Sequence, residues 1–190
     1  YVPPAPSYYV TFERPIIIGF SVLVTLANNA GVPSDARAQI QTAIINAFAG
    51  TDGGTRAKIG SVVFASRYYA TVASLGTWAQ QIISIRVGLT AGGARFRGTI
   101  SGTVLTVVSI DFGTIVATDL LQDAGLMASG TTIVEQLTGS TGNVGTYRVS
   151  VSQSILTEED MNTTTMLDDV VMNINQAPTI AANEIQLALL

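Results

Sequence analysis

Apolar residues recur most regularly over residues 16–26 of the chain. The apolar residues at every second position are Ile16, Ile18, Phe20, Val22, Val24 and Leu26. Ser21 and Thr25 lie between them. Because successive side chains of a strand point to opposite faces, this pattern predicts a strand with one apolar face. A shorter strand is predicted at residues 8–13, and it ends before Pro15 because proline has no N–H for a sheet ladder.

After a turn at residues 28–31, apolar residues recur at helical spacing. The residues on one face of this predicted helix are Ala36, Ile40, Ala43, Ile44 and Ala47. Ser34 is a suitable N-cap for the helix, and Gly50 can adopt the left-handed conformation that ends it. A second helix is predicted over residues 61–74, and its buried residues would be Val62, Ala65, Tyr69 and Val72.

A strand is predicted at residues 79–87, with Ile83, Ile85 and Val87 on its inward face. From about residue 89 to residue 162 the helical spacing disappears, and glycine, threonine and serine separate short β-branched runs. Short strands separated by glycine turns favour a small all-β module, either a barrel or a sandwich. The four strands predicted in this module are residues 95–100, 104–110, 131–137 and 145–151.

Two further strands are predicted near the end of the chain, at residues 170–175 and 184–189, joined by a turn that contains Pro178. Together the elements indicate an α+β fold, with two helices packed on a mostly antiparallel sheet. A small all-β insertion domain interrupts this fold. The predicted segments are a linker of residues 1–7 from an upstream region, a discontinuous α+β domain of residues 8–88 and 166–190, and an inserted β domain of residues 89–165.

The composition points to a component of an assembly. Charged residues make up 12% of the chain, about half the share of a typical soluble domain. A surface with so little charge favours burial against neighbours. The charges are also unevenly placed, because residues 1–87 carry a net +3 and residues 88–190 a net −7. The two ends of neighbouring copies could therefore be electrostatically complementary.

Nucleic-acid and membrane partners are not expected. A nucleic-acid site needs clustered basic residues, and Lys58 is the single lysine of the chain. The longest apolar stretch, Ile16–Leu26, is about half the length that a membrane-spanning helix needs.

The residue types present do not form a recognisable set of catalytic side chains. The chain has no cysteine and no histidine, which excludes thiol nucleophiles and thiolate metal sites and removes the commonest general base. The Gly53-Gly54 turn lacks the lysine that ends a phosphate-binding loop. Two carboxylate clusters, at residues 158–160 and 168–169, suggest glycoside cleavage or calcium binding, but neither has the spacing of a calcium loop. We therefore expect no catalytic residue, no metal site, no cofactor and no enzyme activity.

Interface contacts are the remaining candidate role for individual residues. Arg56 and Lys58 beside the glycine turn could pair with acidic neighbours in an assembly or lie in a solvated loop. Tyr68 and Tyr69 are adjacent on the predicted second helix and point about 100° apart, so one of them could face outward. We predict Tyr68 as a subunit contact. Three further aromatic residues could be interface anchors or core residues, namely Trp78, Tyr8 and Tyr9.

Several segments carry a family resemblance, and they occur in one order along the chain. They are residues 9–15 (YVTFERP), 32–34 (VPS), 40–48 (IQTAIINAF), 48–61 (FAGTDGGTRAKIGS), 64–69 (FASRYY), 72–78 (VASLGTW) and 173–179 (NINQAPT). Together they resemble the C-terminal region of the J-like baseplate proteins, the wedge subunits of contractile phage tails. The resemblance covers a little over half of the chain. Residues 89–162 depart from the family pattern and are similar to the Gly/Thr-rich β modules of phage tail appendages.

The resemblance implies a structural protein of the virion, made in the cytoplasm of a bacterial host. Its expected partners are other copies of itself and the hub, sheath and fibre-attachment proteins, arranged as a ring around the tail hub. The alternative is a tail appendage or fibre-associated module that binds a host glycan or another tail protein. A glycan-binding module should expose aromatic residues, but the insertion contains only three, namely Phe96, Phe112 and Tyr147. This favours a protein-contact or spacer role over sugar recognition.

Overall fold

A computed structural model describes Tyr9 and residues 13–90, 92–123 and 125–190. The predicted linker, Tyr8 and most of the predicted first strand lie outside the described residues. The described part is mixed α/β, with two α-helices and mostly antiparallel sheets. In chain order the elements are β1 (Ile16–Leu26), α1 (Ala36–Ala49), β2 (Val62–Phe64), α2 (Tyr69–Ala73), β3 (Ile82–Leu89), β4 (Arg95–Phe112), β5 (Leu120–Asp123), β6 (Ile133–Gly139), β7 (Gly145–Thr164), β8 (Asp169–Val171) and β9 (Gln176–Leu189).

Strand β1 is the centre of a three-stranded sheet with the order β3-β1-β9. It pairs antiparallel with β3 and parallel with β9. From Ile18 onward the even-numbered side chains of β1 pack in the main core with both helices, as the apolar pattern predicts, whereas Ile16 is 54% exposed. However, the opposite face is buried too, since Ser21 is 0% and Leu23 is 6% exposed. Leu23 packs there with Leu120, Met166 and Ala188, so β1 has two buried faces rather than one.

The first helix matches its prediction, but its N-cap does not. The N-cap residue is Asp35 rather than Ser34, and no side-chain capping hydrogen bond is present. The Asp35 carboxylate accepts instead from the Gln39 side chain of the next turn. At the other end Gly50 has φ 75°, and its N–H and that of Thr51 donate to the carbonyls of Ala47 and Asn46. This left-handed glycine ends the helix as predicted.

The second helix is shorter than predicted. Over residues 61–74 the structure contains β2, a 3-10 turn (Ala65–Tyr68) and the five-residue α2. Strand β2 pairs antiparallel with β8, which is more than 100 residues away in sequence. Local apolar spacing carries no information about that partner strand. The backbone hydrogen bonds from β8 determine that residues 62–64 form a strand.

Strand β3 starts at Ile82, because a 3-10 turn (Thr77–Ala79) occupies the beginning of the predicted strand. Ile85 and Val87 are buried as predicted, but Ile83 is 55% exposed. The pairing with β1 shifts register at this point, so that an extra residue of β3 is inserted. Such a bulge reverses the side-chain alternation, and Ile83 therefore points outward.

A second sheet forms within the predicted insertion, with β7 at its centre and β4, β5 and β6 paired antiparallel to it. Two of its strands are much longer than predicted. Strand β4 joins the two predicted strands across Gly102, which has φ 62°, and β7 continues 13 residues beyond the predicted strand, to Thr164. Strand β6 starts two residues later than predicted, and β5 was not predicted. The described strands of this sheet do not close into a barrel, and they surround a separate apolar cluster.

The predicted final hairpin is wrong. Strand β8 pairs with β2, and β9 is a continuous strand from residue 176 that lies parallel to β1. Pro178 lies within β9 opposite Ile18, not in a turn. Proline is tolerated there because β9 is an edge strand of its sheet, and its missing N–H leaves no partner strand unsatisfied.

No helix in the described part of the chain has the length and apolar character needed to cross a membrane.

Candidate functional site

The glycine-rich turn after α1 is organised by the carboxylate of Asp52. Its oxygens accept from Nη2 of Arg67 at 2.6 and 2.7 Å, and Oδ1 also accepts from the N–H of Gly54 at 3.0 Å. Arg67 Nη2 donates in addition to the carbonyl of Ala47, the last turn of α1. A side chain on Gly54 would collide with the Arg67 guanidinium, whose Cζ lies 2.6 Å from the ideal Cβ position. The turn is therefore a structural connection between α1 and the segment that leads to β2.

This ion pair makes the free energy of unfolding depend on pH in the acid range. The pKa of Asp52 is lowered, first by the hydrogen bond from Arg67 and then by the one from Gly54. Because the folded pKa lies below the unfolded one, the pair contributes above the unfolded pKa, and this contribution is lost as pH falls through the folded pKa. We expect Asp52→Asn to be less stable than wild type at neutral pH, with the difference shrinking as pH falls through the folded pKa of Asp52. Urea unfolding at a series of pH values from neutral to acid measures this difference.

The matched control is Asp35→Asn, whose carboxyl forms no salt bridge among the described residues. A constant difference between wild type and Asp52→Asn from neutral to acid pH would contradict the assignment of an ion pair at Asp52.

Strands β2 and β8 form a two-stranded ribbon with one buried and one exposed face. Val63 and Val170 are opposite each other and point into the core. On the other face Val62 lies opposite Val171, and these side chains are 37% and 69% exposed. Phe64 shares that face and is 52% exposed, opposite Asp169. We call Val62, Phe64, Asp169 and Val171 the ribbon face.

Two more apolar side chains adjoin the ribbon face. Ile174 is 91% exposed, and its Cα lies 3.2 Å from the ideal Cβ position of Gly60, in the turn before β2. Ile59, the residue before that glycine, is 54% exposed. The N–H of Met172 donates to the Ser61 carbonyl, which holds this turn against the end of β8. Exposed apolar groups grouped in this way are typical of a protein–protein contact.

The two basic residues predicted as interface residues lie beside this surface. Lys58 begins the turn that leads into β2, and its carbonyl accepts from the Ser61 hydroxyl. Arg56 precedes it by two residues, and both residues are exposed. No carboxylate of the described residues forms a salt bridge with either one. The segment that leads into β2 therefore carries two cationic side chains whose charge is not neutralised within the described part of the chain.

The structure does not place Tyr68 at this surface. Tyr68 is 2% exposed in the main core, and burial raises the pKa of its hydroxyl to about 12. Tyr69 is the outward one of the pair, since it is 37% exposed, and its hydroxyl oxygen accepts from the N–H of Ile85. The expectation that Tyr68 faces a subunit is therefore wrong, because a strand and a 3-10 turn replace the first part of the predicted helix and reverse which tyrosine points inward.

The other aromatic candidates divide between core and surface. Trp78 is partly buried and packs against the main core, whereas Tyr9 is exposed. Tyr8 lies outside the described residues.

The two carboxylate clusters are ion-paired and lie in different sheets. Glu158 and Asp160, on β7, flank Arg97 at 3.7 and 3.5 Å. Asp168 lies 3.6 Å from Arg86, and Asp169 belongs to β8. Among the described residues no group of three or more acidic, histidine or cysteine side chains is arranged to hold a metal ion.

Sequence reasoning missed the ribbon face because it assigned residues 61–74 to one helix. The signal that could have revealed it is the pair of apolar runs, Val62–Phe64 and residues 170–172, which fit two short strands with one buried face each. Comparisons with protein families and with curated proteins found no match, neither among family models nor among the curated sequences.

Proposed function

We propose that this chain is a non-enzymatic wedge subunit of a contractile phage tail baseplate, which assembles around the tail hub and links it to the sheath and fibres. The observation that carries the proposal is the ribbon face, an apolar surface whose strand β2 is preceded along the chain by Arg56 and Lys58, which no described carboxylate neutralises. Such a surface is typical of a protein–protein contact, and a ring subunit must present one to each neighbour.

A second copy offers a complementary surface. On the outward face of β7, Leu156 is 73% exposed, and it is followed at strand spacing by Glu158 and Asp160. The Asp160 side chain is 83% exposed, and Arg97 is the one guanidinium that pairs with these two carboxylates among the described residues. An exposed apolar side chain next to carboxylates fits an apolar face next to cations.

Contact between these two surfaces would be head-to-tail, because the ribbon face and the outward face of β7 are different parts of the chain. Head-to-tail contacts close into rings when the rotation between copies divides a full turn. In this arrangement residues 89–165 act as an inserted β module that reaches the next copy, and the α+β part, residues 8–88 and 166–190, forms the body of each wedge.

The location of the chain is tested by a cryo-EM map of phage particles whose genome encodes it. We expect density for the chain in the ring around the tail hub, in the mature virion, with the β module at the junction between neighbouring copies. Density in a distal fibre would contradict the proposal and favour the role of a receptor-binding appendage.

The contact itself is tested by Phe64→Asp in the full-length protein. A buried, unpaired carboxylate in place of an apolar contact strongly disfavours association. We expect phage carrying the variant to lose contractile particles with complete baseplates at least tenfold, counted by negative-stain electron microscopy. The matched control is Leu137→Asp, at a residue that is 46% exposed on β6 and outside both surfaces.

Charge reversal adds a test that folding defects cannot imitate. Lys58→Glu should reduce assembly, and the double variant with Asp160→Lys should restore it, because the two side chains would then attract across the junction. Equal particle counts for Phe64→Asp and wild type would exclude the ribbon face as a subunit contact.

A further inference from the structure

An open cleft of about 840 Å³ lies between the two sheets, outside the ribbon face. Its walls come from the start of β1, the N-terminal turn of α1, both ends of β4, the end of β7 and the middle of β9. Its volume is in the range of sites that hold small organic ligands. The elements around it belong to both the α+β part and the β module.

Three residues that line this cleft each have one polar side-chain atom that is buried without a hydrogen-bond partner among the described residues. These atoms are Nε of Arg37, Oγ1 of Thr90 and Oδ2 of Asp123. Five side-chain atoms of the described residues are left in this state, so more than half of them are gathered at one cleft. Burying a polar atom without a partner costs about 1–3 kcal/mol, so the polar side chains around this cleft are incompletely satisfied by the described residues.

A hydrogen-bonded chain of side chains fixes the floor of the cleft. The amide of Asn162 donates to Oε1 of Gln122 at 3.2 Å, and Nε2 of Gln122 donates to Glu184 at 3.3 Å. The same Glu184 oxygen accepts from the buried hydroxyl of Ser21 at 2.6 Å. Asp123 is held by three backbone N–H groups on its other oxygen. These groups are therefore oriented before any ligand arrives, which lowers the entropy cost of binding.

The charge of the cleft favours a neutral ligand. Arg37 and Arg95 contribute two positive charges, and Asp123 and Glu184 contribute two negative ones. Neither arginine forms a salt bridge with a described carboxylate. A guanidinium needs acceptors and a carboxylate needs donors, and a hydroxyl group supplies both. A ligand with several hydroxyl groups satisfies this lining, and the balanced charges give no net attraction for a polyanion.

An exposed aromatic ring stands beside these polar groups. Of the three aromatic residues in the insertion, Phe96 and Tyr147 are buried, whereas Phe112 is 64% exposed and lines the cleft. The C–H faces of sugar rings pack on aromatic rings, and arginine and amide side chains line the same cleft as this exposed ring. Taking these observations together, we infer that the cleft is a binding site for a neutral oligosaccharide, with Phe112 as the stacking platform and Arg37, Arg95 and Asp123 as hydroxyl partners.

The inference is tested by binding of the purified full chain to an array of neutral and uronic-acid-containing oligosaccharides from bacterial surface polysaccharides. We expect neutral members to bind, and Phe112→Ala and Arg95→Ala each to weaken that binding about tenfold. The matched controls are Phe64→Ala, which removes an exposed ring elsewhere, and Arg97→Ala, two residues further along β4 and outside the cleft. Both controls should bind as wild type does.

Three outcomes would overturn the inference. They are binding to no oligosaccharide of the array, binding confined to the acidic members, and equal losses in the cleft variants and the controls. The site is separable from the proposed wedge role, because Phe112→Ala leaves the ribbon face unchanged. Particles that assemble normally with Phe112→Ala but no longer bind the oligosaccharide would support both proposals. If the wild-type chain binds the oligosaccharide but is not found in the baseplate, only the cleft proposal is supported.

Discussion

Replacing Gly93 with alanine is expected to destabilise the fold by about 3 kcal/mol, because the site has no space for a Cβ atom. The ideal Cβ position overlaps the backbone carbonyl of Thr163 and lies 2.6 Å from its Oγ1. Neither group can retreat, since the Thr163 N–H donates to the Ala94 carbonyl and its hydroxyl oxygen accepts from the Ala94 N–H at 2.9 Å. For a chain of 190 residues this corresponds to a decrease in Tm of roughly 6–12 °C, measured by thermal unfolding.

The control for this prediction is Gly102→Ala, in the bend of β4. Gly102 has φ 62° and no heavy atom within 4 Å of its ideal Cβ position, so only the left-handed backbone opposes the substitution. We expect a cost of about 1 kcal/mol at that position. Equal destabilisation by the two variants would show that the close approach of Thr163 adds no cost at Gly93.

Excising residues 90–165 and closing the gap with a short glycine-containing turn is expected to leave a folded α+β core. The ends of the gap are already adjacent, because Val87 and Leu167 exchange backbone hydrogen bonds of 2.8 and 2.7 Å. The main apolar core contains no residue of the excised segment. We therefore expect helical circular dichroism and a cooperative unfolding transition in the excised protein.

The excised protein should nevertheless be less stable by about 3 kcal/mol, since removal of Leu120 uncovers Leu23 and Ala188 on the second face of β1. Leu23→Ala provides the internal control. It should cost about 3 kcal/mol in the full chain and much less in the excised protein, where Leu23 has already lost this contact. An excised protein without a cooperative transition would contradict the proposed division into a discontinuous core and an inserted module.

The sequence determined the elements whose stabilising partners are close by or whose pattern is long. Strand β1 and helix α1 occur where the apolar periodicity predicts them, and Gly50 ends α1 with the left-handed conformation that only glycine adopts without strain. The mixed α/β character with mostly antiparallel sheets follows from the same periodicities. The exposed Phe112 was recognisable as one of three aromatic candidates, although its position at a cleft was not.

The tertiary structure alone decided where strands pair over long sequence distances. Residues 62–64 became a strand because β8 supplies backbone hydrogen bonds from more than 100 residues away, and this reversed the burial of Tyr68 and Tyr69. The parallel pairing of β9 with β1 likewise turned a predicted hairpin into one long edge strand. The ribbon face and the cleft both arise from such pairings, because local periodicity records which side chains are apolar but not which distant strand completes the sheet.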